Sequence, residues 1–430
     1  MWPHARLRRA AEIAIARTRA VKTADPRSPG LEGDLKGLSA NAPEMRHQLL
    51  AWWELYGRHA IPWKLHPDGS RPADGEAIDP YGVFVAEVML QQTQLAVVLP
   101  YWQRWMAALP SLQALAAAEE HDVLLLWQGL GYYSRAGRLQ RGAQQVLQQE
   151  AVAVSPARSR TAPPPGADPP SFWPRDLEGW LALPGIGRST AGSILSSAFD
   201  RPAPILDGNV KRVLARLLAL PRPPSRALDH LWRCSDLLLD ADRPRAFNQA
   251  LMDLGATVCS PRTPACDHCP WRRHCAAYAA GAAAAFPVKD SPRTVPFQVI
   301  GVGVVLNAAG EVLIDQRLEE GLLGGLWEFP GGKQEPGEAI EATIVRELRE
   351  ELAIEAAVGE ELITLEHAYS HKRLRFVVHL CRWIAGEPQP LASQQVRWVT
   401  PSELDSFPFP AANARIIEAL RRRLGHLSAA

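Results

Sequence analysis

A multidomain chain, all-α at first and then a separate α/β domain, is the fold class this sequence predicts, and three observations carry it. Its 430 residues exceed what one hydrophobic core usually organises, at roughly 150 residues per domain. From Met45 to Cys275 the apolar residues recur at helical spacing with Gly and Pro punctuation. Beyond Pro296 the period changes to strand-like alternation. The composition, 47% hydrophobic and 22% charged, is that of an ordinary globular protein. A net charge of +1 exerts no global pull on DNA, so a nucleic-acid partner has to be argued from particular sites. No apolar run has the length to span a bilayer, and no membrane partner is expected.

Residues 1–44 read as a variable or disordered tail. Arg6, Arg8, Arg9, Arg17 and Arg19 with Glu12 as the one early acid form a pattern shared with organelle transit peptides. Organelle targeting therefore stays open beside a cytoplasmic or nucleoid-associated location in a bacterium. Residues 45–275 form the helical domain, broken at 155–174, where Pro156, Pro163, Pro164, Pro165, Pro169, Pro170 and Pro174 exclude a regular helix. A linker follows over 276–296. In the α/β domain, 297–425, strands are expected over Val299–Leu306, Glu311–Gln316 and Leu374–Trp383, with a helix over Glu338–Leu352.

Cys259, Cys266, Cys269 and Cys275 are spaced C-x6-C-x2-C-x5-C, a poor layout for a disulfide framework and a good one for a metal centre in a reducing compartment. One close pair flanked by two single cysteines departs from the two pairs of the usual structural zinc site, and thiolate-only ligation suits iron-sulfur; the spacing alone leaves zinc open. Cys234 and Cys381 read as isolated core cysteines.

The run Leu183-Pro184-Gly185-Ile186-Gly187-Arg188-Ser189 puts two glycines in a tight turn before a helix. Backbone amides bared at such a turn can hold a phosphate without reading sequence, although a plain helix-turn-helix connection uses the same residues. Downstream, Asp207 lies in Ile205-Leu206-Asp207-Gly208-Asn209. A second carboxylate, Glu87, stands in Glu87-Val88-Met89-Leu90-Gln91-Gln92-Thr93-Gln94. On a helix it would share a polar face with Gln91 and Gln94, opposite Val85, Val88 and Met89.

These motifs closely resemble those of the MutY-type adenine glycosylases of the endonuclease III, helix-hairpin-helix superfamily, from about residue 46 almost to the C-terminus. The resemblance implies a [4Fe-4S] cluster on the four cysteines, Glu87 as the acid that protonates adenine, and Asp207, oriented with Asn209, as the group that stabilises the sugar cation or traps it covalently before water attacks. It implies a Gln92 wedge in the DNA stack and a stacking residue in the pair Tyr132 and Tyr133 of Gly129-Leu130-Gly131-Tyr132-Tyr133. It also implies backbone contacts at Gly185, Gly187 and Ser189, and an adenine pocket at Trp63 of Ile61-Pro62-Trp63 and Asp253 of Asn248-Gln249-Ala250-Leu251-Met252-Asp253. Relatives that also nick the strand carry a lysine where this chain has Ser189, and serine cannot form a Schiff base, so monofunctional hydrolysis is expected. Adenine in a duplex must be flipped out to be reached.

In the C-terminal portion, Gly332-x5-Glu338-x7-Arg346-Glu347-Leu348-Arg349-Glu350-Glu351-Leu352-Ala353-Ile354 matches the Nudix box, with Ala353 where the box has glycine. Glu347, Glu350 and Glu351, at i, i+3 and i+4, would project from one helical face and could hold Mg²⁺. The resemblance to MutT-like domains places Tyr369, Ser370 and His371 in a lesion-contacting loop and Asn413 as a base-reading residue. The implied partner is double-stranded DNA carrying adenine opposite 8-oxoguanine, met by a monomer. A nucleotide-pool pyrophosphatase is the rival reading, which leaves Glu87 and Asp207 idle; a non-catalytic lesion binder is another.

Overall fold

The computed structural model describes residues 29–153, 173–291, 295–321, 323–368 and 372–428. The expected insertion at 155–174, save Trp173 and Pro174, and the expected lesion loop Tyr369, Ser370 and His371 lie outside the described residues. In chain order the helices are α1 Pro29–Tyr56, α2 Pro80–Met89, α3 Leu95–Ala108, α4 Leu112–Ala117, α5 Glu120–Trp127, α6 Ser134–Ala153, α7 Leu177–Leu181, α8 Arg188–Phe199, α9 Gly208–Leu217, α10 Leu228–Leu238, α11 Pro244–Asp253 and α12 Ala276–Ala279, then α13 Ile340–Leu352 and α14 Ala411–Ser428. The strands are β1 Phe297–Leu306, β2 Val312–Gln316, β3 Trp327–Glu328, β4 Gly331–Lys333, β5 Glu355–Ala368, β6 Arg373–Ala385 and β7 Gln395–Val399.

By compactness the chain divides into two units, one of residues 1–91 and 148–292, the other of 92–147 and 293–430. The first is helical. Its core joins Leu38, Met45, Leu49 and Trp53 of α1 to Val213 and Leu214 of α9, Leu231 of α10 and Phe247 and Leu251 of α11. This corrects the expected tail: residues 29–44 belong to α1, with Leu38 and Ala42 buried. Leu38, Ala42, Met45 and Leu49 continue one apolar stripe at helical spacing, so the helix needs no new start at Met45.

Helix α2 begins at a proline and is capped by Asp79, whose carboxylate accepts the Tyr81 amide at 3.0 Å and that of Gly82 at 3.2 Å. Every residue from Tyr81 to Met89 is buried except Glu87, which is half-buried. A helix apolar all round lies in a core, and its one acid is held there with it.

In the second unit the described strands form a seven-stranded mixed sheet ordered β3-β2-β1-β6-β5, with β4 on β1 and β7 on β2. β1 and β6 run parallel, pairing Val302 with Val378. Alternation splits the sheet's faces: Val302, Val304 and Val378 pack with Ile416 and Leu420 of α14, while Val305, Leu313 and Cys381 pack with Ile344, Leu348 and Leu352 of α13. Helices of 92–147 group with this sheet rather than with the rest of the expected 45–275 body. The ties are specific: Tyr133 Oη donates to the Phe409 carbonyl at 2.9 Å, His121 Nε2 meets the Ser406 carbonyl at 2.9 Å, and its ring meets Phe407 edge-on. Among the described residues no helix is long and apolar enough to cross a membrane.

Candidate active site

Glu87 rises from α2 into a dry environment. Burial, reinforced by repulsion from Asp207, pushes its carboxyl up to about 7, against the pull of the Ser193 hydroxyl and the Lys64 ammonium. Ser193, buried on α8, makes no hydrogen bond of full geometry; its effect on Glu87 is one of proximity. Asp207 caps α9: one oxygen accepts the Val210 amide at 2.7 Å and the other accepts from Asn209 Nδ2 at 3.2 Å. Burial raises its carboxyl, and the Val210 amide, Arg212 and Asn209 oppose that rise. Asn209 is itself held by Arg212 Nη2 at 2.8 Å. Gly255 makes the fit possible, because a Cβ there would stand 2.6 Å from that of Asn209.

Asp253, expected at the adenine pocket, is fully buried and fully engaged. It accepts from Trp53 Nε1 at 3.0 Å, from the Arg58 amide at 2.8 Å and from Arg58 Nε at 2.7 Å, and Lys64 Nζ stands 3.9 Å away. Burial would raise it, but Lys64 and Arg58 hold it below the usual carboxylate range. Lys64 is pulled down to about 8 by burial, with Asp253 opposing. Trp63, the other expected pocket residue, is buried beside Lys64 in the same turn. Lys64, Arg58 and Ser193 were not singled out from sequence. Only the position of Lys64 directly after the Ile-Pro-Trp run offered a signal.

The glycine turn is open. Gly185, at φ +79°, and Gly187, which precedes α8, are both exposed. Gln91 Nε2 donates to the Gly185 carbonyl at 3.2 Å and to Thr190 Oγ1 at 3.3 Å. Ser189 Oγ accepts the Leu206 amide at 3.0 Å, which pins the segment leading into Asp207. The expected helical face of Glu87, Gln91 and Gln94 is corrected, because α2 ends at Met89 and Gln92 adopts a left-handed φ of 59° that a continuing helix forbids.

In the second unit, Gln92 is exposed, and Tyr132, also left-handed at φ 48°, is 47% exposed. Tyr133 is corrected as a DNA-stacking candidate: it is buried, its hydroxyl accepting the Gly129 amide at 3.1 Å and donating to Phe409.

The four clustered cysteines, none in a disulfide, line one small cavity together with Val213, Arg216, Leu254 and Trp271. Arg216, almost wholly buried, donates to Cys259 Sγ at 3.3 Å. Among the described residues no three His, Cys, Asp or Glu side chains stand ready to share a single metal ion.

On α13 the three expected carboxylates part company. Glu350 is exposed and paired with Arg346 at 3.1 Å, whereas Glu347 is sunken, pairs with Arg346 at 2.8 Å and lies over Gly332, where no Cβ would fit. Burial, with Glu347 and Glu328 adding to it, lifts Glu351 to about 7. Asp315 and Glu328 are cross-strand partners on β2 and β3 and join this acidic group. Neither was foreseen, since a carboxylate in an apolar strand has no motif. Asn413 is buried at the start of α14, its amide bonded to the Pro410 carbonyl at 2.9 Å.

Two family models match this chain. One, described as HhH-GPD superfamily base excision DNA repair protein, covers residues 85–234, and the other, a NUDIX domain, covers 301–419. The adenine DNA glycosylase of Mus musculus is 34% identical over 89% of this chain and 78% of its own length. That of Homo sapiens is 33% identical over 88% and 74% respectively. The chain belongs to the adenine DNA glycosylases. An adenine DNA glycosylase of Buchnera aphidicola subsp. Acyrthosiphon pisum matches at 29% identity over 77% of this chain and 83% of its own. This adenine DNA glycosylase is thus a base-excision-repair hydrolase of the N-glycosidic bond, with a helical HhH-GPD region preceding its Nudix domain.

Proposed function

We propose that this glycosylase excises adenine mispaired with 8-oxoguanine, or with guanine, as a monofunctional hydrolase and a monomer on duplex DNA. The observation that carries the chemistry is the pairing of Glu87, poised near neutrality, with Asp207, pinned by Val210 and Asn209. Cleavage of the bond puts negative charge on the leaving base and positive charge on the sugar. A carboxyl that is still protonated near pH 7 can deliver a proton to adenine, and an oriented carboxylate can stabilise the cation until water attacks. Trp63 and the Arg58, Lys64 and Asp253 network shape the adenine pocket, with Asp253 orienting its neighbours. Gly185 and Gly187 offer amides to the phosphate backbone, Gln92 and Tyr132 fill the stack around the extruded base, and the Nudix domain reads the lesion through Tyr369, Ser370, His371 and Asn413. Ser189, which holds the Leu206 amide, supplies no amine for strand nicking.

The cysteine loop fits a [4Fe-4S] cluster held by Cys259, Cys266, Cys269 and Cys275. A single zinc needs its sulfurs about 2.3 Å from one point; here free thiols surround a cavity instead. When bound there, such a cluster would tie the loop together through the four thiolates. At the Nudix box, Glu347 and Glu351 would be the residues to hold Mg²⁺, which is commonly bound through one or two carboxylates, and the ion would supply charge to a phosphate substrate.

The deciding experiment is single-turnover excision on adenine:8-oxoguanine, adenine:guanine and adenine:thymine duplexes. Release from the first two without strand nicking, fastest opposite 8-oxoguanine, is expected. Equal rates opposite thymine would overturn the mispair reading. Iron and sulfide in anaerobically purified protein are expected from the same preparation, and stoichiometric zinc without iron would overturn the cluster.

A further inference from the structure

We propose that Arg135 is a positioning residue that locks Gln92 and Tyr132 into one DNA-facing element, an inference that rests on the reading that these two side chains meet DNA. Gln92 and Tyr132 share an unusual property: each is an exposed non-glycine residue with left-handed backbone. Such a conformation is strained and persists only where the surroundings over-determine it.

The surroundings converge on one side chain. Arg135, 5% exposed at the start of α6, donates through Nη2 to Thr93 Oγ1 at 3.2 Å, to the Gly131 carbonyl at 3.0 Å and to the Leu130 carbonyl at 3.2 Å. Its Nε reaches the Tyr132 carbonyl at 3.4 Å. The guanidinium lies 5.2 Å from the Trp127 ring centre and 5.5 Å from that of Tyr132, and Trp127 Nε1 donates to the Gly131 carbonyl at 3.1 Å. One rigid fork therefore holds the residue next to Gln92, the backbone on both sides of Tyr132, and the Tyr132 ring itself. A lysine has the charge but neither the planar fork nor the stacking face.

A buried arginine that merely closed the 129–133 turn would need no bond to Thr93, 42 residues away in sequence. That bond couples the wedge segment to the tyrosine segment, so insertion of one prepares the other. Base extrusion, more than bond cleavage, should depend on it.

The test uses the full-length enzyme with 2-aminopurine placed opposite 8-oxoguanine, reading extrusion by fluorescence beside single-turnover excision of adenine, duplex Kd and Tm. Arg135→Lys is expected to lower extrusion about tenfold, the scale of one lost charge-assisted hydrogen bond, while the pH profile of cleavage stays in place. In a Tyr132→Ala background the same substitution is expected to change extrusion less than about twofold, because coupled residues are non-additive. Thr93→Val, which keeps shape and threatens the fold less, is expected to give a smaller loss in the same direction and carries the test if Arg135→Lys does not fold. Equal losses in the two backgrounds, or no loss with Thr93→Val and Arg135→Lys, would overturn the proposal. A Tyr132→Ala enzyme with normal extrusion would overturn the DNA-contact reading itself, and the proposal with it.

Discussion

Each half of the molecule sinks a group of carboxylates below its surface. Around Glu87 the negative charge is answered from within: Lys64 stands nearby, Arg58 and Lys64 hold Asp253, and Asp207 is bonded to an amide and to Asn209. Around the Nudix box ion pairs fall on Glu328, Glu338, Glu347 and Glu350, while Asp315 keeps a buried oxygen without a hydrogen bond and its carboxyl is raised well above its usual range, by burial first and by Glu328 and Glu351 after. The same residue type thus gives two chemistries. Around Glu87 the Lys64 ammonium opposes the upward push of burial, and Asp207 is steadied by an amide and Asn209; the proposed division into proton donor and oriented carboxylate rests on that balance. At the Nudix box Arg317 and Arg346 pair with Glu328, Glu338, Glu347 and Glu350, and Asp315 and Glu351 are raised by burial and by the carboxylates beside them.

The largest effect that would break this comparison is expected at Glu87. Glu87→Gln removes the transferable proton at nearly constant size, and single-turnover excision is expected to fall by about 10³-fold or more with duplex Kd little changed. Undiminished excision would assign the proton to another group. Asp207→Asn is the next test. Asparagine also caps helices, so Tm should hold while excision falls by about 10²-fold, the scale of one lost electrostatic stabiliser; a parallel loss of Tm would make Asp207 a structural cap only.

The internal balance can be titrated. The acid must be protonated to work, so excision should decline as pH rises through about 7, where Glu87 loses its proton. Lys64 lowers that value, and Lys64→Met should therefore move the alkaline limb upward, leaving the variant's rate at pH 8 roughly two- to fivefold closer to its own plateau than the wild type's. A limb that moves downward, or not at all, would remove Lys64 from the circuit.

On the Nudix side, a carboxyl raised on folding binds protons more tightly in the native state, so its contribution to stability is fully present below the unfolded-state range and is lost as pH rises. Asp315→Asn should raise stability at neutral pH in metal-free buffer by about 1–3 kcal/mol, because it removes a repelled charge and offers a donor to the neighbouring acids. Its advantage should shrink toward pH 4, and melting curves at several pH values check both points. The smallest expected effect is at Ala353, which ends α13 in the left-handed region at φ 56°. Ala353→Gly relieves a conformation alanine disfavours and should add about 0.5–1 kcal/mol in denaturant melts; a loss would mean the methyl group packs usefully.

What the sequence determined by itself was whatever is written in local pattern. Strand alternation over Val299–Leu306, the glycine turn and the Nudix-box helix each depend on neighbours a few residues apart, and the structure has strand, turn and helix there, whereas the helical reading through Gln94 stops at Met89. What tertiary structure decided was which of two like residues faces solvent and which charges meet. Tyr132 and Tyr133 are adjacent and identical, yet a carbonyl from Phe409 buries one and a left-handed turn presents the other. Glu350 and Glu351 are just as alike, yet one stays in solvent with Arg346 while the other is pressed toward Glu347 and Glu328. Lys64 and Asp253, Arg135 and Thr93, and Asp315 and Glu351 are partners across long stretches of chain. Their consequences come from desolvation and from close approach, which exist only after the chain has folded.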